Sequence, residues 1–373
     1  MVEIYPVIET LDLVYAGIYG WGEALVKVTD TVVIRPDIQV SKSFMNKKPL
    51  KQYIREKIKR RAANQDVIST KFLDKLNVMM DHGIFSNMFK KYFGVKKTPV
   101  NLIKVYDTLR VEYGLAYDVP LRLYITSILS RSMKLNLINE KEIRENLKKL
   151  LNNCKAKNLK KALMECEDIL REISYEAVNI TIRRTKKMYD LRNKTKYFKN
   201  LVPVVQGLFK EDIKACIEKI FGILNDNNIM ETYISIGTGG RVLSRRDRDN
   251  INYAVELIEK YSKEYDIKVK IHLLGWSSPR NGKGIVFEKI YSADSLTVRR
   301  RAGEGKIYVL QGDNIELKHV SEIDKAKFNC RCPACRSFKE WVLDPSCARR
   351  NDVRLVHSLY TLKKFYDILT NHR

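Results

Sequence analysis

The chain has 373 residues, 45% of them apolar, enough for one large domain with an elaboration or for two smaller ones. Lys and Arg number 69 against 44 Asp and Glu, a formal net charge of +25; thermostable lysine-rich surfaces balance lysine with glutamate, and this chain does not, so the excess favours a polyanionic partner, nucleic acid before membrane. No run reaches the roughly 18 apolar residues of a membrane helix, Met1-Val2-Glu3-Ile4-Tyr5 does not read as a signal peptide, and seven cysteines suggest thiols and metal rather than disulfides, so a cytoplasmic protein is expected.

Residues 1–50 read as a β-rich segment, with Thr31-Val32-Val33-Ile34 as its clearest strand. From 51 to 126 the pattern changes. A basic helix, Lys51 to Arg61, is followed by Val78-Met79-Met80, an apolar approach that stops at Asp81-His82-Gly83, and by Tyr113 to Tyr117, which stops at Asp118-Val119-Pro120. Residues 127–180 are rich in Lys, Glu and Leu and read as a basic helical insertion, and the last helix before Leu201 is expected to belong to the barrel itself.

The alternation resumes over 181–310. Leu201 to Val205 ends in Gln206-Gly207 and feeds a helix with apolar positions Ile213, Cys216, Ile217, Ile220 and Leu224. Tyr233 to Ile236 ends in Gly237-Thr238-Gly239-Gly240, and a helix from about Arg246 to Lys263 carries Ile251, Ala254, Ile258 and Tyr261. Lys268 to Leu274 ends in Gly275, and Lys289 to Ala293 ends in Asp294-Ser295. Strand, polar tip, helix, repeated at this length, argues for parallel βα units. Polar groups at nearly every strand's C-terminal end favour a (β/α)8 TIM barrel, which gathers its chemistry on that face; a doubly wound sheet, with one switch point, is the alternative.

Residues 311–373 read as a zinc-binding subdomain with a C-terminal helix. Cys330-Arg-Cys332-Pro-Ala-Cys335 gathers three thiols, and His357 follows on an apolar segment, the ligand set of a closed, structural zinc site, with Cys347 as an alternative fourth ligand.

These motifs, in this order, resemble the queuine and archaeosine tRNA-guanine transglycosylases, zinc-containing (β/α)8 enzymes that exchange guanine for a 7-deazaguanine. The most specific element is Cys330 to Cys335 followed by His357-Ser358-Leu359-Tyr360; Asp81-His82-Gly83-Ile84-Phe85, Asp118-Val119-Pro120, Val205-Gln206-Gly207, Gly239-Gly240, Leu273-Leu274-Gly275 and Asp294-Ser295 match the other family segments in order. The resemblance implies Asp294 as nucleophile and Asp81 as general acid/base, with Asp118, Gln206, Gly207, Gly237, Gly239 and Gly240 around the base. Physical chemistry agrees. A carboxylate beneath the anomeric carbon stabilises developing oxocarbenium charge or bonds to it, a second carboxyl serves the leaving base, and Asp118 suits the N1-H and 2-amino edge of guanine. Arg241, Arg245, Arg246 and Arg299 to Arg301 are expected on phosphates.

Several departures point to one branch. Ile84 and Ser86 replace a glycine and a glutamine of the family, Leu296 to Arg299 is not the bacterial Leu-Pro-Thr-Arg pattern, the stretch after His357 is too short for the C-terminal RNA-binding module of archaeal tRNA enzymes, and the insertion is large. Ser292-Ala293-Asp294-Ser295 is similar to the branch that places 7-deazaguanines in DNA. The expectation is therefore a DNA-guanine transglycosylase using a preQ0-like base, with tRNA as the alternative substrate. A catalytically silent nucleic-acid-binding relative, or a basic zinc module without a barrel, are the competing classes. The bacterial relatives suggest a homodimer through a surface near the zinc module.

Overall fold

Short apolar runs that stop at Gly, Asp or Gln become parallel strands, because each run is too short for a helix and the residue that ends it turns the chain toward the next one. The computed structural model describes residues 3–8, 10–34, 48–62, 69–81, 96–135, 138, 140–237, 245–275, 285–344 and 351–371. In chain order these hold β1 (Glu3–Ile8), α1 (Thr10–Ile18), α2 (Gly22–Val26), β2 (Thr31–Ile34), α3 (Leu50–Arg61), α4 (Phe72–Lys75), β3 (Asn77–Met80), α5 (Pro99–Leu109) and β4 (Tyr113–Leu115). The helical stretch follows as α6 (Leu121–Leu129), α7 (Lys141–Asn153), α8 (Leu159–Glu165) and α9 (Glu167–Arg192). Then come β5 (Asn200–Val202), β6 (Val204–Val205), α10 (Lys210–Asp226), β7 (Glu231–Gly237), α11 (Arg245–Glu264), β8 (Lys268–Leu274), β9 (Ser292–Ser295) and α12 (Leu296–Gly303). The chain closes with a hairpin, β10 (Lys306–Gln311) and β11 (Asn314–His319), and two helices, α13 (Pro333–Leu343) and α14 (Asn351–Asn371).

The fold is mixed α/β. Nine strands form a sheet in the order β5-β4-β3-β2-β1-β9-β8-β7-β6, and the strand pairings within it are all parallel. The two strands at the ends of that order, β5 and β6, are consecutive in the chain and flank Pro203, which has no N–H to give the ladder. The backbone bonds on around it: Ala116 N–H donates to Val202 O at 2.8 Å on one side, and Ser235 N–H to Pro203 O at 2.9 Å on the other.

Alternation along the strands separates two buried layers, as expected when both faces of a parallel sheet are covered. Val33, Met79, Val202 and Tyr233 join Tyr5 and Leu115 in one apolar cluster, while their neighbours Val32, Val78, Leu201 and Ile234 belong to the larger core. The helical faces expected for α10 and α11 are buried as their spacing requires, Ile213, Cys216, Ile217, Ile220 and Leu224 on the first and Ile251, Ala254, Ile258 and Tyr261 on the second.

Residues 1–50 differ from the β-rich segment expected: β1 and β2 bracket two helices and both join the main sheet. The insertion has its own apolar cluster, including Tyr124, Ile128, Ile143, Leu147, Leu150, Leu170 and Ile173. Its long helix α9 runs through residue 180 and onward, so the boundary expected there falls inside a helix. Among the described residues, no helix is long and apolar enough to cross a membrane.

Candidate active site and metal centre

Register and alternation decide which side chains share the sheet's inner layer. Tyr5 lies beside Asp294 across the β1–β9 pair, and His272 beside Ser292 across the β8–β9 pair. Ser292 and Asp294 are two residues apart, so all four project to one face, the face of the Tyr5 cluster. Asp294 is 2% exposed, and its Oδ1 accepts from the Gly275 amide at the end of the neighbouring strand. His272 is fully buried, with Nδ1 at 2.9 Å from Ser292 Oγ, its ring stacked on Tyr5 at 5.6 Å between centroids, and Nε2 at 3.9 Å from Asp294 Oδ1. Burial alone pushes the His272 pKa down to about 3, so the ring is neutral at pH 7.

Asp81 follows the last residue of β3, two positions beyond the inward Met79, and its N–H extends the ladder to Ile34 O at 3.0 Å. Asp118 lies three residues past β4 and is buried, accepting from Gln206 Nε2 at 2.5 Å. The C-terminal half of the long helix α9 helps to seat it. On α9, Thr181 Oγ1 accepts from Val119 N–H at 3.0 Å, Met188 Sδ from Tyr117 N–H at 3.2 Å, and Arg184 stacks over the Tyr117 ring at 3.8 Å.

Two glycines are required by geometry. A Cβ on Gly237 would lie 2.4 Å from Gln206 Nε2 and displace the amide from Asp118. Gly207 has φ +153°, a conformation other residues adopt only with strain, and a Cβ there would lie 2.9 Å from Ile213.

Lys97 was not foreseen. Its ammonium is buried over the Tyr117 ring at 4.6 Å; burial lowers its pKa to about 8, opposed by the carboxylates of Asp118, Asp81 and Glu140. Nothing in the Val95-Lys96-Lys97-Thr98 run distinguishes it from a surface lysine. His272 had a weak signal, a lone imidazole inside an apolar strand.

The arginines divide. Arg299 forks onto the buried carboxylate of Asp12, at 3.0 and 3.3 Å, while Arg300 and Arg301 both pair with Glu304, at 3.7 and 2.7 Å. Those carboxylates compete with the phosphate role expected of them. His82, Ile84, Ser86, Gly239, Gly240, Arg241 and Cys347 lie outside the described residues, as do the side chains of Arg245 and Arg246.

The metal centre is assembled from two elements. Cys332 caps α13, its sulfur accepting from Cys335 N–H at 3.2 Å, so this ligand atom sits at the positive end of a helix. His357, on α14, faces the thiols with Nδ1 at 3.5, 3.5 and 3.4 Å from the sulfurs of Cys330, Cys332 and Cys335, and all four ligand atoms lie within 4.8 Å of one another. Nε2 of His357 donates to Tyr308 O at 2.9 Å. A carbonyl can only accept, so this bond assigns the neutral ring's proton to Nε2 and leaves the Nδ1 lone pair for a metal. Hydrogen bonds from Cys332 and Cys335 hold the Cys330 thiol far below its usual range. Arg354, buried on α14, ties the helix to the end of α13 by donating to Val342 O at 3.0 Å and to Asp344 O. The group is a possible Cys3His metal site.

No protein-family model matches the chain, and no curated protein matches it significantly in sequence.

Proposed function

We propose that this chain is a guanine transglycosylase that exchanges guanine in nucleic acid, DNA above all, for a 7-deazaguanine base of the preQ0 kind. The observation that carries the reading is the buried carboxylate of Asp294 at the end of β9, on the same C-terminal sheet edge as the Asp118–Gln206 pair and Asp81. A sheet closed into a (β/α)8 barrel would gather those groups around one mouth. Two features support closure: β5 and β6 read as halves of one strand that pairs β4 on one side and β7 on the other, and the Tyr5 cluster draws residues from β1, β2, β3, β4, β5 and β7.

In this reading an Asp294 carboxylate oxygen attacks the anomeric carbon, the C–N9 bond breaks with its electron pair going to N9, and Asp81 gives the departing guanine its proton. The incoming base loses its N9 proton to Asp81 and attacks the same carbon, which returns Asp294 as carboxylate with retention. Asp118 accepts from the N1-H and 2-amino edge, with Gln206 beside it.

The bound ion is zinc in a structural role. Tetrahedral zinc, with bonds of about 2.3 Å to sulfur and about 2.05 Å to nitrogen, sets sulfur and nitrogen about 3.6 Å apart. The distances from His357 Nδ1 to the three thiols, 3.4 to 3.5 Å, fit that spacing.

An open groove of ≈ 400 Å³ between α7 and α9 suits a phosphate backbone approaching Asp118: Lys141, Arg183, Arg184 and Lys187 line it with Glu140, Glu142 and Pro99. Arg183 and Arg184 pair with Glu176 and Glu140, at 3.3 and 2.9 Å, whereas Lys141 and Lys187 have no carboxylate partner among the described residues. Replacing both lysines by alanine is expected to flatten the plot of log affinity for duplex DNA against log salt by about 1.8, since each phosphate contact contributes about 0.9. Fluorescence anisotropy from low to moderate salt measures it; an unchanged slope removes the groove from the interface.

The function itself is tested by incubating the protein with preQ0 and with DNA or tRNA carrying labelled guanine. Loss of label from DNA is the expected result, loss from tRNA alone transfers the activity to tRNA, and no loss from either, with metal bound, ends the reading.

A further inference from the structure

His272 is the residue that the reaction above leaves unused and that the fold has set most deliberately. It is fully buried, Ser292 Oγ holds Nδ1 at 2.9 Å, Tyr5 stacks on the ring at 5.6 Å, and Nε2 has no hydrogen-bond partner among the described residues although it faces Asp294 Oδ1 from 3.9 Å. A buried polar nitrogen left unbonded is disfavoured in a folded protein unless something at the site uses it. We infer that His272 is a positioning residue for Asp294, a neutral imidazole whose Nε2–H orients the nucleophilic carboxylate as it approaches the sugar. The inference rests on the transglycosylase reading for the reaction, and on geometry alone for the contact.

The tautomer follows from the neighbours. The carboxylate of Asp294 favours an N–H pointing at it, so Nε2 carries the proton and Ser292 donates its hydroxyl hydrogen to Nδ1. Oδ1 of Asp294 already accepts from the Gly275 amide, and a second N–H converging on the same oxygen fixes the plane of the carboxylate. Neutrality matters here. An imidazolium would lock Asp294 into an ion pair and lower its nucleophilicity, and burial keeps the ring uncharged at neutral pH.

Two measurements decide the matter. Nitrogen NMR of the full-length protein is expected to report the neutral Nε2–H tautomer at pH 7; a charged ring or the Nδ1–H tautomer overturns the inference. His272→Phe, which keeps an aromatic ring against Tyr5, is expected to slow formation of the covalent nucleic-acid adduct about 10- to 100-fold while leaving nucleic-acid affinity within about twofold, and His272→Gln, which restores an N–H, to recover most of the rate. Equal rates in wild type and His272→Phe, or equal losses in the two variants, overturn it. If wild type forms no adduct at all, the transglycosylase reading falls. The contact is then judged by the Asp294 carboxyl carbon resonance, which moves in His272→Phe if the inference holds and stays in place if it does not.

Discussion

Asp294→Asn is expected to abolish the covalent adduct between protein and nucleic acid, and to reduce base exchange by at least ~10³-fold, while nucleic-acid affinity changes little. The substitution keeps the shape of the side chain and an oxygen to accept from Gly275, so the strand end survives. What it removes is the negative charge and the ability to form a glycosyl ester. Under the proposed function, affinity should persist because the groove lysines that would meet the phosphates, Lys141 and Lys187, lie away from β9. A denaturing gel with labelled DNA reads the adduct, and a filter-binding titration reads the affinity. An adduct of wild-type intensity in the variant would reassign the nucleophile.

Cys332→Ser is expected to lose the metal and to destabilise the C-terminal part of the chain by something on the order of 5 kcal/mol or more, the scale of a structural zinc site. The loss should spread. His357 sits on α14, and on the same helix Lys363 reaches Glu3 of β1 at 2.6 Å, so loosening α14 removes support from the middle of the sheet. Metal analysis should find one zinc per wild-type chain, X-ray absorption three sulfur neighbours and one nitrogen, and thermal melting a lower midpoint for the variant. Wild-type protein stripped of metal and still melting at the midpoint of the metal-loaded protein would refute a structural role.

The parallel βα alternation was legible because most of these strands carry a short apolar run that stops at a polar residue or glycine, and because α10 and α11 keep their apolar residues at helical spacing. The thiols were legible because Cys-x-Cys-x-x-Cys is a local signal. Their meeting with His357 was harder to foresee, since it depends on how α14 packs against the hairpin strand carrying Tyr308. Asp118 and Gln206 were singled out separately, but the bond between them depends on strand order and on the space that Gly237 leaves. The first fifty residues were misjudged because α1 and α2 are short and apolar, without the polar face that marks a surface helix. Lys97 and His272 escaped for a common reason: their meaning comes from carboxylates distant in sequence, and no spacing rule registers a partner brought in by the fold.

The place of β1 bears on how such a chain is made. Glu3 and Tyr5 are in register with Ser292 and Asp294 on one side, while Val7 meets Val33 on the other. Of its two neighbours, β2 therefore follows β1 closely in the chain, while β9 is synthesised long after both. Until then it presents a bare parallel edge, open to pairing with another copy. The Cys3His cluster and the Lys363–Glu3 bridge are built from residues that follow β9 in the chain, so they act on assembly as a latch, engaging after the long-range pairing has formed and keeping that edge from reopening.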